Sequence, residues 1–209
     1  MNSKICETIR KRILFLEYQS GQILNEKKLA DEFGVSRTPL REIFYRLEWE
    51  KLVTITPRAG AIITPVEFQK LRDVFRVRIS IEGLIGRLAA ERISNGKLEE
   101  MREIKAQCES LSPDVDIKQL INIDIKFREL LNNSANNLIL KETSDNLYNM
   151  TLRAWFMVFD GPDFSVEIDE ELKEIEKTIE VLSHRNPQEA EAFKQNVIIN
   201  YVERIKNKF

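Results

Sequence analysis

The chain has 209 residues and a formal charge of −2, from 32 Lys/Arg against 34 Asp/Glu, which excludes a histone-like or polybasic protein. Hydrophobic residues make up 43% and charged residues 32%, so the chain can bury a sizeable core and stay soluble, and disorder is excluded on composition. Gly and Pro number 7 and 6, too few for a turn-rich all-β fold, and no apolar run approaches the ~18 residues of a membrane span. The two cysteines, Cys6 and Cys108, fit no metal or redox spacing and read as free thiols in a reducing compartment. The N-terminus has early charges (Lys4, Glu7, Arg10) and no apolar signal core. A cytoplasmic, mainly α-helical protein is expected.

Charge is unevenly spread. Residues 1–65 carry 11 Lys/Arg against 8 Asp/Glu, and residues 66–209 carry 21 against 26. A small basic head before a larger acidic body suggests an anion-binding module and a body with another task.

Ile5, Ile9, Ile13 and Leu16 recur at helical spacing, which predicts a first amphipathic helix over about 4–18. Asn25 can cap a short second helix, Glu26–Phe33, with Leu29, Ala30 and Phe33 inward. Gly34 tolerates a left-handed backbone and permits a sharp turn, and Ser36 is an N-cap for a third helix, Arg37–Glu50. Helix, tight turn, helix is the helix-turn-helix pattern. Two β-prone runs, Leu52–Thr56 and Ala61–Thr64, flank Pro57-Arg58-Ala59-Gly60 and read as a hairpin wing.

The start of the third helix carries the chemistry. Ser36, Arg37, Thr38 and Arg41 cluster there, beside free N–H groups and the positive end of the helix dipole, a setting that favours phosphate. Arg can also pair with guanine in the major groove. Lys27, at the second helix start, and Arg58, at the wing tip, can flank the duplex backbone. The bland reading of any one of these residues is a solvated helix end; their combination with a turn and a wing favours DNA.

Leu29–Val53 (LADEFGVSRTPLREIFYRLEWEKLV) and the wing at Pro57–Gly60 resemble the GntR family of bacterial transcription regulators. The resemblance implies a winged helix-turn-helix that binds operator DNA as a homodimer, with Lys27, Arg37, Thr38, Arg41 and Gly60 at positions that touch DNA. Lys51 departs from the family, which has Gly at the end of the recognition helix. That departure should cost a fraction of a kcal/mol to ~1 kcal/mol of local stability.

From Pro65 onward, six helices are expected: Glu67–Asn95, Lys97–Ser110, Asp116–Ser134, Leu138–Asp160, Glu167–Arg185 and Pro187–Asn207. Asn95-Gly96, Ser112-Pro113 and Gly161-Pro162 break the pattern. The expected fold is therefore mainly α: a winged helix-turn-helix over 1–65 and an all-helical bundle of about six helices over 66–209.

Charges interrupt the apolar stripes of this bundle. Arg78 falls on the face of Leu71, Val74, Ile81, Ile85 and Leu88, and Asp124 on the face of Ile117, Leu120, Phe127 and Leu131, with Arg128 one turn later. An unpaired buried charge costs several kcal/mol, so these groups should be paired or line a wet cavity. A structural ion pair of Asp124 with Arg128 or Arg78 is the plain reading. It leaves one guanidinium over, which invites an anionic ligand. Arg153 is a further candidate partner, and Tyr148, Trp155 and Phe127 are candidate walls, although aromatics at this spacing are more often core.

Arg78-Ile-Ser-Ile-Glu82, Ala89-Ala90-Glu91-Arg92, Asp124-x-x-Phe127 and Ala135-Asn136-Asn137-Leu138 resemble the FCD effector domain of the FadR branch of GntR regulators, and six helices rather than seven resemble its VanR-type subgroup. That family often holds a divalent metal with one Asp and three His. The resemblance places Asp124 at the Asp position and Arg128, Ile175 and Val197 at the His positions. The chain has a single His, His184, at an expected helix junction. One carboxylate and no imidazole make a poor transition-metal site, and a neighbouring guanidinium repels a cation. No metal and no cofactor are therefore expected, and Arg78, Asp124, Arg128 and Arg153 are the candidate effector-binding residues. The expected function is a DNA-binding regulator, by family habit a repressor, that answers a small carboxylate-type effector. The alternative is a bundle that only dimerises or binds a protein partner. No Gly-rich phosphate loop, Ser or Cys paired with a His base, or His-based metal site supports an enzyme.

Overall fold

The computed structural model describes residues 2–56, 60–112, 117–159 and 164–206. In chain order the elements are α1 (Asn2–Leu14), β1 (Ile23–Leu24), α2 (Glu26–Phe33), α3 (Arg37–Trp49), β2 (Val53–Thr56), β3 (Gly60–Ile63), α4 (Phe68–Arg92), α5 (Asn95–Glu109), α6 (Ile117–Ser134), α7 (Leu138–Phe159), α8 (Phe164–Ser183) and α9 (Pro187–Lys206). They divide into two compact units: Met1–Arg72 with Asn146–Met157, and Asp73–Asp145 with Val158–Phe209.

In the first unit, the expected apolar faces are buried. Ile5, Ile9 and Ile13 of α1 and Leu40, Ile43, Phe44 and Leu47 of α3 form its core. α1 ends earlier than periodicity predicts, because Leu16 turns into the left-handed region (φ 56°). Asn25 caps α2 as expected, its Oδ1 accepting from the N–H groups of Lys27 and Lys28. The wing is an antiparallel β2–β3 pair with Val53 opposite Ile63 and Thr56 opposite Gly60. A third strand, β1, pairs along β3. It is only two residues long, and no alternation can be read from two residues. The C-terminal part of α7 also joins this unit, where Phe156 meets the Phe15 ring edge-on at 5.5 Å.

The second unit buries Ile85, Ala89, Ile93, Met101, Leu120, Phe127, Leu131, Ile175 and Leu182 in one core. Arg92 donates to the carbonyl of Ala135 (2.7 Å), closing the C-terminal end of α6, and Asn137 Oδ1 accepts from Leu140 N to open α7. Two stretches that read as separate motifs thus form one corner. Ser94 caps α5, so Gly96 lies in its first turn rather than in the expected break. Asn186 caps α9 through the N–H groups of Gln188 and Glu189. The Glu189 carboxylate meets His184 Nδ1 at 3.3 Å, and His184 is exposed, as expected. The Ser112-Pro113 and Gly161-Pro162 breaks and the wing tip at Arg58 lie wholly or partly outside the described residues.

Candidate nucleic-acid interface and buried charge cluster

α2, the turn at Gly34 and α3 build the first site. Gly34 takes the left-handed conformation (φ 64°) and its N–H closes α2 onto Ala30 O. Ser36 follows in an extended conformation, and its hydroxyl makes no capping bond. Ser36, Arg37, Thr38 and Arg41 are all exposed along the first turns of α3, and Lys27 is exposed at the start of α2. The helix N-terminus thus presents two guanidinium groups and two hydroxyls together. Arg41 is not loose: its Nε donates to both carboxylate oxygens of Glu26 at 3.1 Å. Glu26 escaped the sequence reading because an acid in a first helical turn ordinarily answers the dipole.

Two backbone positions explain themselves structurally. At Gly60 φ is 112° and a Cβ would stand 2.3 Å from the Leu24 carbonyl oxygen, so no side chain fits there. Lys51 takes φ 60°. Its N–H bonds Glu48 O and that of Leu52 bonds Leu47 O, which is the Schellman closure of α3 with Lys where Gly is favoured.

The second site lies among α4, α6, α7, α8 and α9. Arg78 and Arg128 are both buried, as their places on apolar stripes predict. The carboxylate between them is Glu82, fully buried one turn after Arg78. Arg128 Nη2 donates to Glu82 Oε1 at 2.8 Å and to Ser144 Oγ at 2.9 Å, and Arg78 Nη2 stands 3.5 Å from the same Oε1. Burial alone would push the Glu82 carboxyl up; Arg128 and Arg78 outweigh it and hold the group down at about 2. Glu82 Oε2 has no hydrogen-bond partner among the described residues. The expectation of one guanidinium left over is corrected here. Glu82 supplies a negative charge that the apolar stripes did not reveal, and both Arg78 and Arg128 stand within ion-pair distance of it.

Further ionisable groups extend the cluster. Lys194 is buried on α9 and bonds Glu174 Oε1 at 2.6 Å. Glu171 on α8 has a buried Oε1 without a hydrogen-bond partner, and burial together with Asp124 and Glu174 pushes its carboxyl up. Burial likewise raises the Tyr201 phenol beside Arg78 and Asp124. At the positions that the family resemblance gives to imidazoles stand the buried Arg128, the core residue Ile175 and the half-buried Val197. One carboxylate, one guanidinium and two aliphatic groups do not fit a divalent cation. Among the described residues no group of His, Cys, Asp and Glu has the arrangement of a metal site.

Arg153, the fourth candidate, belongs to the first unit. Its Nη2 donates to Ser20 Oγ at 2.9 Å and its Nη1 to Thr64 Oγ1 at 3.3 Å. Arg78, Asp124 and Arg128 lie in the second unit, and the polar partners of Arg153 are both residues of the first. Phe127 is core of the second unit, and Trp155 is buried in the first.

The comparisons with known proteins agree with this architecture. Residues 2–63 match the family model described as bacterial regulatory proteins, gntR family, and residues 73–198 match the FCD domain. The HTH-type transcriptional repressor RspR of Escherichia coli is 26% identical over 160 residues, 77% of this chain and 70% of that protein. The HTH-type transcriptional regulator YdhC of Bacillus subtilis is 26% identical over 197 residues, 92% of this chain and 84% of that protein. The structure of E. coli McbR/YncC superposes with a TM-score of 0.86 at 18% identity, covering 99% of this chain and 97% of the other, a likeness of fold. The chain belongs to the GntR family of transcriptional regulators and carries an FCD domain; these families and relatives are regulators and not enzymes. No described helix is long and apolar enough to cross a membrane.

Proposed function

We propose that this regulator is a cytoplasmic homodimer that represses from an operator, and that it answers a small carboxylate-type effector held in the helical part without a metal. Residues 1–65 would act as the DNA-binding domain and 66–209 as the effector and dimerisation domain. Ser36, Arg37, Thr38 and Arg41 would enter the major groove at the start of α3, while Lys27 and the wing, with Arg58 and Gly60, would track the phosphates. Gly60 would act by letting the backbone approach. Repression is supported by the function printed for RspR.

The single observation behind the metal-free effector reading is the burial of Arg128, which is 7% exposed and turned onto Glu82 rather than toward solvent. An incoming carboxylate would compete with Glu82 for Arg128 and Arg78, using bidentate hydrogen bonds that a guanidinium offers. The effector would bias one arrangement of the DNA-binding heads only by as much as its affinity differs between arrangements.

The test is a gel shift with DNA from upstream of the encoding gene, across salt concentrations, with and without a panel of metabolic acids. A sequence-selective shift that weakens steeply with salt and responds to an acid supports the proposal. Selective DNA binding that no acid changes favours the alternative, a bundle that only dimerises or binds a partner. Absence of any selective shift removes the operator reading.

A further inference from the structure

Arg153 is a buried cation without a counter-charge among the described residues. Its residue is 3% exposed, its two terminal nitrogens bond only the neutral hydroxyls of Ser20 and Thr64, and its buried Nε has no acceptor. Among the described residues every other buried basic side chain, Arg78, Arg128 and Lys194, stands within ion-pair distance of a carboxylate. A guanidinium stays protonated in proteins, and an uncompensated buried charge is costly unless an opposite charge reaches it. Burial accordingly pulls the Arg153 pKa down, with no neighbouring charge opposing it.

The surrounding donors favour an oxyanion. Thr64 Oγ1 donates to the Lys51 and Leu52 carbonyls, so its proton is committed and it can only accept from Arg153. Ser20 Oγ accepts from Nη2, which leaves its own proton available to a ligand, and Ser20 is exposed, which gives an approach from solvent. The Nε–H, the two remaining Nη–H groups and the Ser20 O–H supply a guanidinium fork plus a hydroxyl, the donor pattern that suits a carboxylate or phosphate group.

We infer that Arg153, Ser20 and Thr64 form a binding site for a small dissolved oxyanion, a carboxylate or phosphate, within the DNA-binding unit and apart from the Arg78–Glu82–Arg128 cluster. Through Thr64 the site is tied to the carbonyls of Lys51 and Leu52, the residues whose N–H groups close the recognition helix. It stands whether or not the other cluster holds an effector.

The experiment is thermal unfolding of the full-length protein in sodium phosphate, sulfate and acetate, each against sodium chloride at equal ionic strength. At roughly 100-fold over Kd, a saturating oxyanion should raise Tm by roughly 5 °C or more. In Arg153→Met that oxyanion-specific rise should vanish while the Arg128→Met protein keeps it. Should Arg153→Met fail to fold, Ser20→Ala keeps the guanidinium and should weaken oxyanion affinity about tenfold, with Tm in chloride unchanged. An equal Tm in chloride and in all three oxyanions overturns the inference. So does a rise that survives both Arg153→Met and Ser20→Ala.

Discussion

Arg128 on α6 and Glu82 on α4 meet at 2.8 Å inside the helical unit, 46 residues apart in the chain. Both side chains are buried, Glu82 completely, and Ser144 bonds both of them. The family resemblance would have an imidazole at the position of Arg128. Its positive charge is permanent rather than exchangeable.

Removing the cation should therefore be costly. Arg128→Ala leaves a fully buried carboxylate with only Arg78 beside it, and should destabilise the protein by about 3–5 kcal/mol. Urea unfolding measures this. The double variant Arg128→Met with Glu82→Leu should recover only part of the loss, because the buried Arg78 then loses the carboxylate it shares with Arg128.

The pair also sets the acid limb of stability. The Glu82 carboxyl is held at about 2 against an ordinary 4.5. A depressed acid contributes stability fully above its unfolded value and loses it as pH falls through the folded value. Stability should thus decline between about pH 4.5 and 2, and Glu82→Gln should flatten that decline in pH-dependent unfolding.

Glu171 should act with the opposite sign. It faces Cys108 from α5, Asp124 and Arg128 from α6, Lys194 from α9 and Glu174 on its own helix, and its carboxyl is raised. The folded state then holds a proton that the unfolded chain has released, so this group lowers stability as pH rises above the ordinary 4.5. Glu171→Gln should be more stable than the parent at pH 8 and nearly equal to it at pH 4. A variant less stable at pH 8 contradicts this.

The closure of α3 carries a stabilising substitution. Lys51 holds φ 60° without the freedom of glycine. Lys51→Gly should stabilise by about 0.5–1 kcal/mol in thermal unfolding, since the left-handed strain is relieved. Gly60→Ala should do the reverse, since its Cβ would press on the Leu24 carbonyl and disturb the β1–β3 pairing.

At the DNA face, Arg41→Met should weaken operator binding by about 1–3 kcal/mol if Arg41 reads a base. Glu26→Gln releases Arg41 from its two hydrogen bonds and should change operator affinity without changing Tm. An unchanged affinity in both variants removes these two residues from the interface.

What could be read beforehand was local. Asn25, Gly34 and Ser36 announce their turn by backbone chemistry alone, and Arg78 and Arg128 stand out as charges on apolar stripes. Glu82 was hidden because it sits beside that stripe rather than on it, although it lies one turn from Arg78. Its second partner arrives from another helix. Lys194 lies four residues from both Ala190 and Ile198, a spacing that marks a buried face and could have found it. The two-residue β1 and the grouping of Arg153 with Ser20 and Thr64 depend on contacts between distant segments, which periodicity does not carry.

The most direct measurement is isothermal titration of the full-length protein with a panel of metabolic carboxylic acids in the presence of excess EDTA. An acid should bind under chelation, and Arg128→Met should abolish its heat while leaving thermal unfolding cooperative. Binding that appears only after a divalent metal is restored, or that survives loss of the Arg128 guanidinium, would contradict the metal-free reading.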